Sequence, residues 1–124
     1  MLMSRVFRVA IALIACPILI EAAGKAAPNI STYVTSGTLN KTVPACIESM
    51  KQSSQQTEFG ASQEVVMDAN GKAGNFHADS TNGSMHFTAR CNSVSGTWGI
   101  AVSGTNANHT FAAFKTVAKI VQHQ

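Results

Sequence analysis

Three glycine-containing turn signals, Asn70-Gly71, Asn82-Gly83 and Ser95-Gly96, divide the middle of this chain into runs that suit β-strands. Asn-Gly is a strong short-range hairpin signal, because a type I′ turn needs positive φ at both central residues. The runs between the turns span 62–68, 73–79, 84–92 and 97–103, all of ordinary strand length. Within them apolar and polar residues alternate, as they do in a sheet with one buried face. Val65/Met67, Phe76/Ala78, Met85/Phe87/Ala89/Cys91 and Trp98/Ile100/Val102 fall on one side. Glu64/Val66/Asp68, Asn75/His77/Asp79, His86/Thr88/Arg90 and Thr97/Gly99/Ala101 fall on the other. A one-residue slip would invert every side chain, so agreement across four strands supports the registers.

The flanking segments have the helical period instead. Val43, Cys46, Ile47, Met50 and Ser54 lie at i, i+3, i+4, i+7 and i+11, which predicts a helix over roughly 43–57. Thr42 suits its N-cap, Pro44 its first turn, and Gly60 can close its C-terminal end. Phe111, Phe114, Val117, Ala118 and Val121 predict a second helix from Asn106 to Gln122, capped by Asn106 or Asn108. These two helices are the available cover for the apolar side of the sheet. The expected fold class is therefore α+β: a four-stranded antiparallel meander covered on one face by an N-terminal and a C-terminal helix. Residues 25–41 read as an N-terminal arm whose patch Ile30 to Thr35 can add an edge strand, and 42–124 as the single α+β domain.

Residues 1–24 have the features of a signal peptide. Arg5 and Arg8 precede an apolar run from Val9 to Ile20, too short for the ~20 residues of a membrane span and suited to a leader core of ~7–15. Small residues follow, placing the mature start at Lys25 or Ala27. Leu13 to Cys16 has the form of a lipobox, so Cys16 is a candidate lipidation site and would give the only membrane anchor. The mature chain then retains two cysteines, Cys46 and Cys91, and an even pair in an exported chain implies a disulfide. With Cys46 on the inward face of the first helix and Cys91 on the apolar side of the sheet, the bond would staple helix to sheet. The implied location is periplasmic or secreted.

Setting Arg5, Arg8 and Glu21 aside leaves seven Lys/Arg against five Asp/Glu, scattered singly. No basic stripe with interleaved aromatics exists, which argues against a nucleic-acid partner. The chain contains no GxSxG, P-loop, HExxH, GxGxxG or CxxC motif, and cysteines tied in a disulfide supply no nucleophilic thiolate. The constellation with chemical potential lies on the polar sheet face. A turn centred on Asn70-Gly71 sets Glu64 opposite His77. A four-residue loop from Ser80 to Gly83 sets His77 opposite His86, lining up Glu64, His77 and His86 with Asp79 one step along. Imidazole and carboxylate groups so placed suit zinc or copper. A two-residue turn at Asn82-Gly83 sets His77 opposite Thr88 and His86 opposite Asp79 instead. His109 and His123, at the two ends of the second helix, show no partner.

The order edge strand, helix, then four meandering strands resembles in topology the cystatin-type inhibitors, and that resemblance implies a protein-binding role. The glutamine–valine–glycine hairpin of that family is absent, since the matching hairpin reads Met67-Asp68-Ala69-Asn70-Gly71. The expectation is a small exported non-enzymatic module without a cofactor. It would bind another protein through the open sheet face or the hairpin tips. The alternatives are a small-ligand or metal binder using the His77/His86 face and, behind it, a small hydrolase.

Overall fold

The computed structural model describes residues 29–124; the leader expected over 1–24, its cleavage points and Cys16 lie outside the described residues. Along the chain run β1 (Ser31–Thr38), α1 (Val43–Gln55), β2 (Ala61–Met67), β3 (Ala73–Asp79), β4 (Met85–Asn92), β5 (Thr97–Gly104) and α2 (Ala107–Gln122). The fold is α+β, and every strand pairing is antiparallel, in the order β1-β5-β4-β3-β2. The sheet has five strands rather than four. The segment read as an arm pairs with β5 along its whole length, from Ser31 opposite Gly104 to Thr38 opposite Thr97. Ser and Thr on both faces hide its period-two signal from hydropathy. Its anchor is Tyr33, whose ring meets Phe111 and Phe114 of α2 at centroid distances of 5.0 and 6.0 Å.

The first two hairpins keep the expected centres but not the expected turn type, and the third is centred one residue earlier than Ser95-Gly96, between Val94 and Ser95, with Asn92 opposite Thr97. Type I′ would need positive φ at Asn70 and Asn82, yet only Gly71, Gly83 and Gly96 take it at these turns. The loops are four residues long, with Asp68 and Ser80 carbonyls accepting from Gly71 and Gly83 N–H. Asn70 and Asn82 instead turn their side chains onto the backbone, each Oδ1 accepting from the N–H two residues on, at 3.0 Å. A four-residue loop centred on the same point preserves the register of a two-residue turn, so the pairing survives the change. His77 stands opposite Thr88 and His86 opposite Asp79. The register that would line up Glu64, His77 and His86 is not adopted.

α1 begins at the expected cap, with Thr42 Oγ1 accepting from Ala45 N–H, but ends at Gln55 without using Gly60. Thr57 closes it instead, its hydroxyl lying 3.0 Å from the Ser53 and Ser54 carbonyls. The chain then turns Phe59 fully inward against Phe87, at 5.5 Å between rings. Periodicity missed Phe59 because it lies outside any regular element. Asn106 caps α2, accepting from His109 N–H at 3.0 Å. Cys46 and Cys91 form the expected disulfide between α1 and β4, with Cα atoms 6.2 Å apart and both residues buried. No helix among the described residues is long and apolar enough to cross a membrane.

The fifth strand changes what the helices can cover. A helix with its side chains is ~10–12 Å across, and strands lie ~4.8 Å apart. Two helices side by side therefore cover about four strands. α2 packs on β1 and β5, and α1 on β3 and β4. β2 is left over.

Candidate functional site

β2 shows no alternation of burial: from Ser62 to Met67 every residue is exposed, and none of the strand is buried. Val65, Val66 and Met67 are 45%, 44% and 38% exposed, although alternation assigns Val65 and Met67 to the inward row. The expected helical cover for that row is absent because both helices sit further across the sheet. Met67 compensates in part by leaning over Gly74, where a β-carbon would stand only 2.5 Å from Met67 Sδ. Gly74 is thus the position that lets β2 keep a long apolar side chain against its neighbour. Gln63 ties the start of the strand back to α1, donating from Nε2 to Ser54 Oγ at 3.1 Å.

The backbone of β2 is equally open. Asp68 N–H donates to the Ala73 carbonyl, and alternation from that pair makes Val66/Asn75 and Glu64/His77 the hydrogen-bonded pairs. The N–H and C=O groups of Val65 and Met67 therefore point away from β3, along the free edge. A register shift between Ala61 and Glu64, with Ser62 at φ 50°, breaks the edge at its N-terminal end. Such irregularities restrict pairing on edge strands. What remains is a short pairing-competent edge over Glu64 to Met67.

Beside it, the outer face of β3 and β4 carries a continuous polar chain. His86 Nδ1–H donates to Asp79 Oδ1 at 2.7 Å, and Thr88 Oγ1 lies 3.1 Å from His86 Nε2 and 3.0 Å from His77 Nδ1. With Asp79 as a carboxylate and each imidazole carrying one N–H, one set of donors satisfies every link. His86 gives its Nδ1 proton to Asp79, Thr88 gives its hydroxyl proton to His86, and His77 gives its Nδ1 proton to Thr88. His77 Nε2 is then left as the acceptor at the end of the chain. The two imidazoles stack at 5.8 Å between centroids. A second link runs from Arg90, which donates to Asn75 Oδ1 at 3.0 Å and lies 3.6 Å from Asp68.

Of the predicted site residues, Asp79, His77 and His86 are thus brought together, but through Thr88, which the sequence reading did not single out. Its position two residues after His86 on the same face is the signal that points to it. Glu64 pairs in register with His77 and takes no part in the chain of hydrogen bonds. Among the described residues, no group of three His, Cys, Asp or Glu side chains is arranged to hold a metal ion. The spacing of Thr88, His86 and Asp79 is within reach of a nucleophile, base and orienting acid. However, β4 pairs with strands on both sides, so its N–H groups are committed to the ladder and supply no oxyanion site around Thr88. The arrangement makes a stiff, hydrogen-bonding surface. His109, expected to lack a partner, meets Glu58 Oε1 at 2.7 Å across the α1–β2 connection.

Comparison with protein-family models, with curated proteins and with solved structures finds no match, so the topological resemblance to cystatin-type inhibitors gains no support from it.

Proposed function

We propose that this chain is a small exported, non-enzymatic binding module whose partner is another protein, and that the partner adds an extended strand to β2. The observation that carries this reading is the β2 edge, exposed on both faces and presenting unpaired backbone groups beside Val65 and Met67. Strand addition draws affinity from main-chain hydrogen bonds and specificity from alternate side chains. The edge asks for apolar side chains in the inward row, beside Val65 and Met67, and a basic side chain in the outward row, beside Glu64. The Asp79–His86–Thr88–His77 chain stiffens the adjoining face. Export is supported by the leader-like N-terminus and by a disulfide, a bond that persists in oxidising compartments.

The test is affinity capture from the native host with oxidised mature protein, run in parallel on Val65→Lys and on Val34→Lys, an exposed position on the opposite edge. A near-stoichiometric protein lost with Val65→Lys and kept with Val34→Lys supports strand addition at β2. A partner indifferent to Val65, or turnover of a substrate by the purified chain, overturns it.

A further inference from the structure

We infer that two copies of this chain pair through β1, antiparallel about a two-fold axis, so that their sheets join into one. Edge strands are ordinarily guarded against such pairing by lysine, proline, a bulge or shortness. β1 has none of these guards. It runs for eight residues, Ser31–Thr38, in unbroken register with β5, and no charged residue or proline occurs from Asn29 to Asn40. β2, at the other end of the sheet, is interrupted by its register shift and carries Glu64. Leu39 N–H donates to the Gly96 carbonyl, and alternation from that pair turns the N–H and C=O groups of Tyr33, Thr35 and Gly37 toward β5. Those of Thr32, Val34, Ser36 and Thr38 point to the open side, where no described residue pairs with them.

Three observations select a second copy as the occupant. First, the outward residues are complementary to themselves. With Thr35 on the axis, Val34 meets Ser36 of the second copy and Thr32 meets Thr38, so every outward N–H and C=O of the strand is used. A two-fold axis brings like residues together, which costs stability where they are charged, and this strand has no charge to oppose. The same register sets Tyr33, the largest side chain of the strand, opposite Gly37, which has none. Second, the helices fit. α2 lies over β1 and β5, so its axis stands about half a strand spacing inside β1, and the two-fold stands half a spacing outside it. The two α2 axes are then about two spacings apart, ~9.6 Å, within the 8–10 Å at which helices pack. Third, the flank of α2 that this brings together is aromatic. Phe111 and Phe114 gather around Tyr33 there, and Phe111 is still exposed. Lys115 beside them holds Nζ 4.9 Å from the Phe111 centroid, on a stem long enough to keep the ammonium in solvent. A front eight residues long at ~3.4 Å each, and ~20 Å deep through strand layer and helix, buries ~1,100 Å² over both copies. That is the lower limit for a specific interface and suits a reversible dimer in the micromolar range.

The oxidised mature protein, produced from the full chain, is followed by sedimentation up to high micromolar concentration. The expected result is a concentration-dependent dimer. Its dissociation constant should rise at least about tenfold in Val34→Lys, which sets two ammonium groups beside the axis, and stay nearly unchanged in Val34→Thr. Val65→Lys, on the β2 edge, should dimerise like the unmodified chain. Amide exchange on the unmodified chain reads the register directly. Thr32, Val34, Ser36 and Thr38 should gain protection as concentration rises, whereas Tyr33, Thr35 and Gly37, bonded to β5, should be protected throughout. A chain that stays monomeric at high micromolar concentration overturns the inference. So does a dimer that survives Val34→Lys or is lost with Val65→Lys. Absence of the alternating protection overturns it too, whether or not any variant folds. Failure here leaves strand addition at β2 untouched, because the two edges share no residue and the joined sheet would keep a β2 edge open at each end.

Discussion

Replacing both cysteines by alanine, Cys46→Ala with Cys91→Ala, tests how far one covalent link sustains this fold. The bond closes a loop with a sequence separation of 45 residues. On the chain-entropy model, opening such a loop releases about 4 kcal/mol of constraint from the unfolded ensemble. Small domains are stable by ~5–15 kcal/mol in all, so this is a large fraction. For a domain of this size, each kcal/mol lowers the melting temperature by ~4–8 °C, which places the expected drop at roughly 15–30 °C. Urea unfolding followed by Trp98 emission measures it. The unmodified chain, reduced while unfolded and assayed in reductant, serves as the second arm because it keeps both sulfur atoms and loses only the link. The two arms should agree to within about 1 kcal/mol, and the denaturant dependence should steepen as the unfolded chain expands. A loss below about 1 kcal/mol in the reduced unmodified chain would refute the loop-entropy argument. A large loss confined to the alanine variant would assign the effect to packing of the buried sulfurs.

Phe59→Ala removes a fully buried ring in contact with Phe87 and should cost about 3–5 kcal/mol in the same urea assay. Proline scanning of β2 should show the alternation of its backbone bonds. Val65→Pro deletes an N–H on the open edge and should change stability little, whereas Val66→Pro deletes one in the β2–β3 ladder, leaves the Asn75 carbonyl unpaired and should cost ~1–3 kcal/mol; equal effects would contradict the assigned hydrogen-bonded pairs. His109→Ala breaks an exposed contact with Glu58 and should shift stability by no more than about 0.5 kcal/mol in thermal unfolding.

Local chemistry alone determined much of this molecule. Alternation and the two Asn-Gly pairs set the centres of the first two hairpins, where glycine takes positive φ and each loop has one symmetric centre; the third loop, with Gly96 at its last position, is centred one residue before its glycine signal. The period change at Thr42, its capping hydroxyl and the Asn106 cap located both helices, and the facing of Cys46 and Cys91 foretold the disulfide. Two features were decided only by the assembled fold. Whether residues 31–38 join the sheet depends on the Tyr33 ring finding Phe111 and Phe114, a contact between segments almost eighty residues apart. Most consequential, Val65 and Met67 carry the pattern of core residues yet stand in solvent. The pattern reports which side of a sheet a residue faces; the width of two helices against five strands determines whether anything lies over that side.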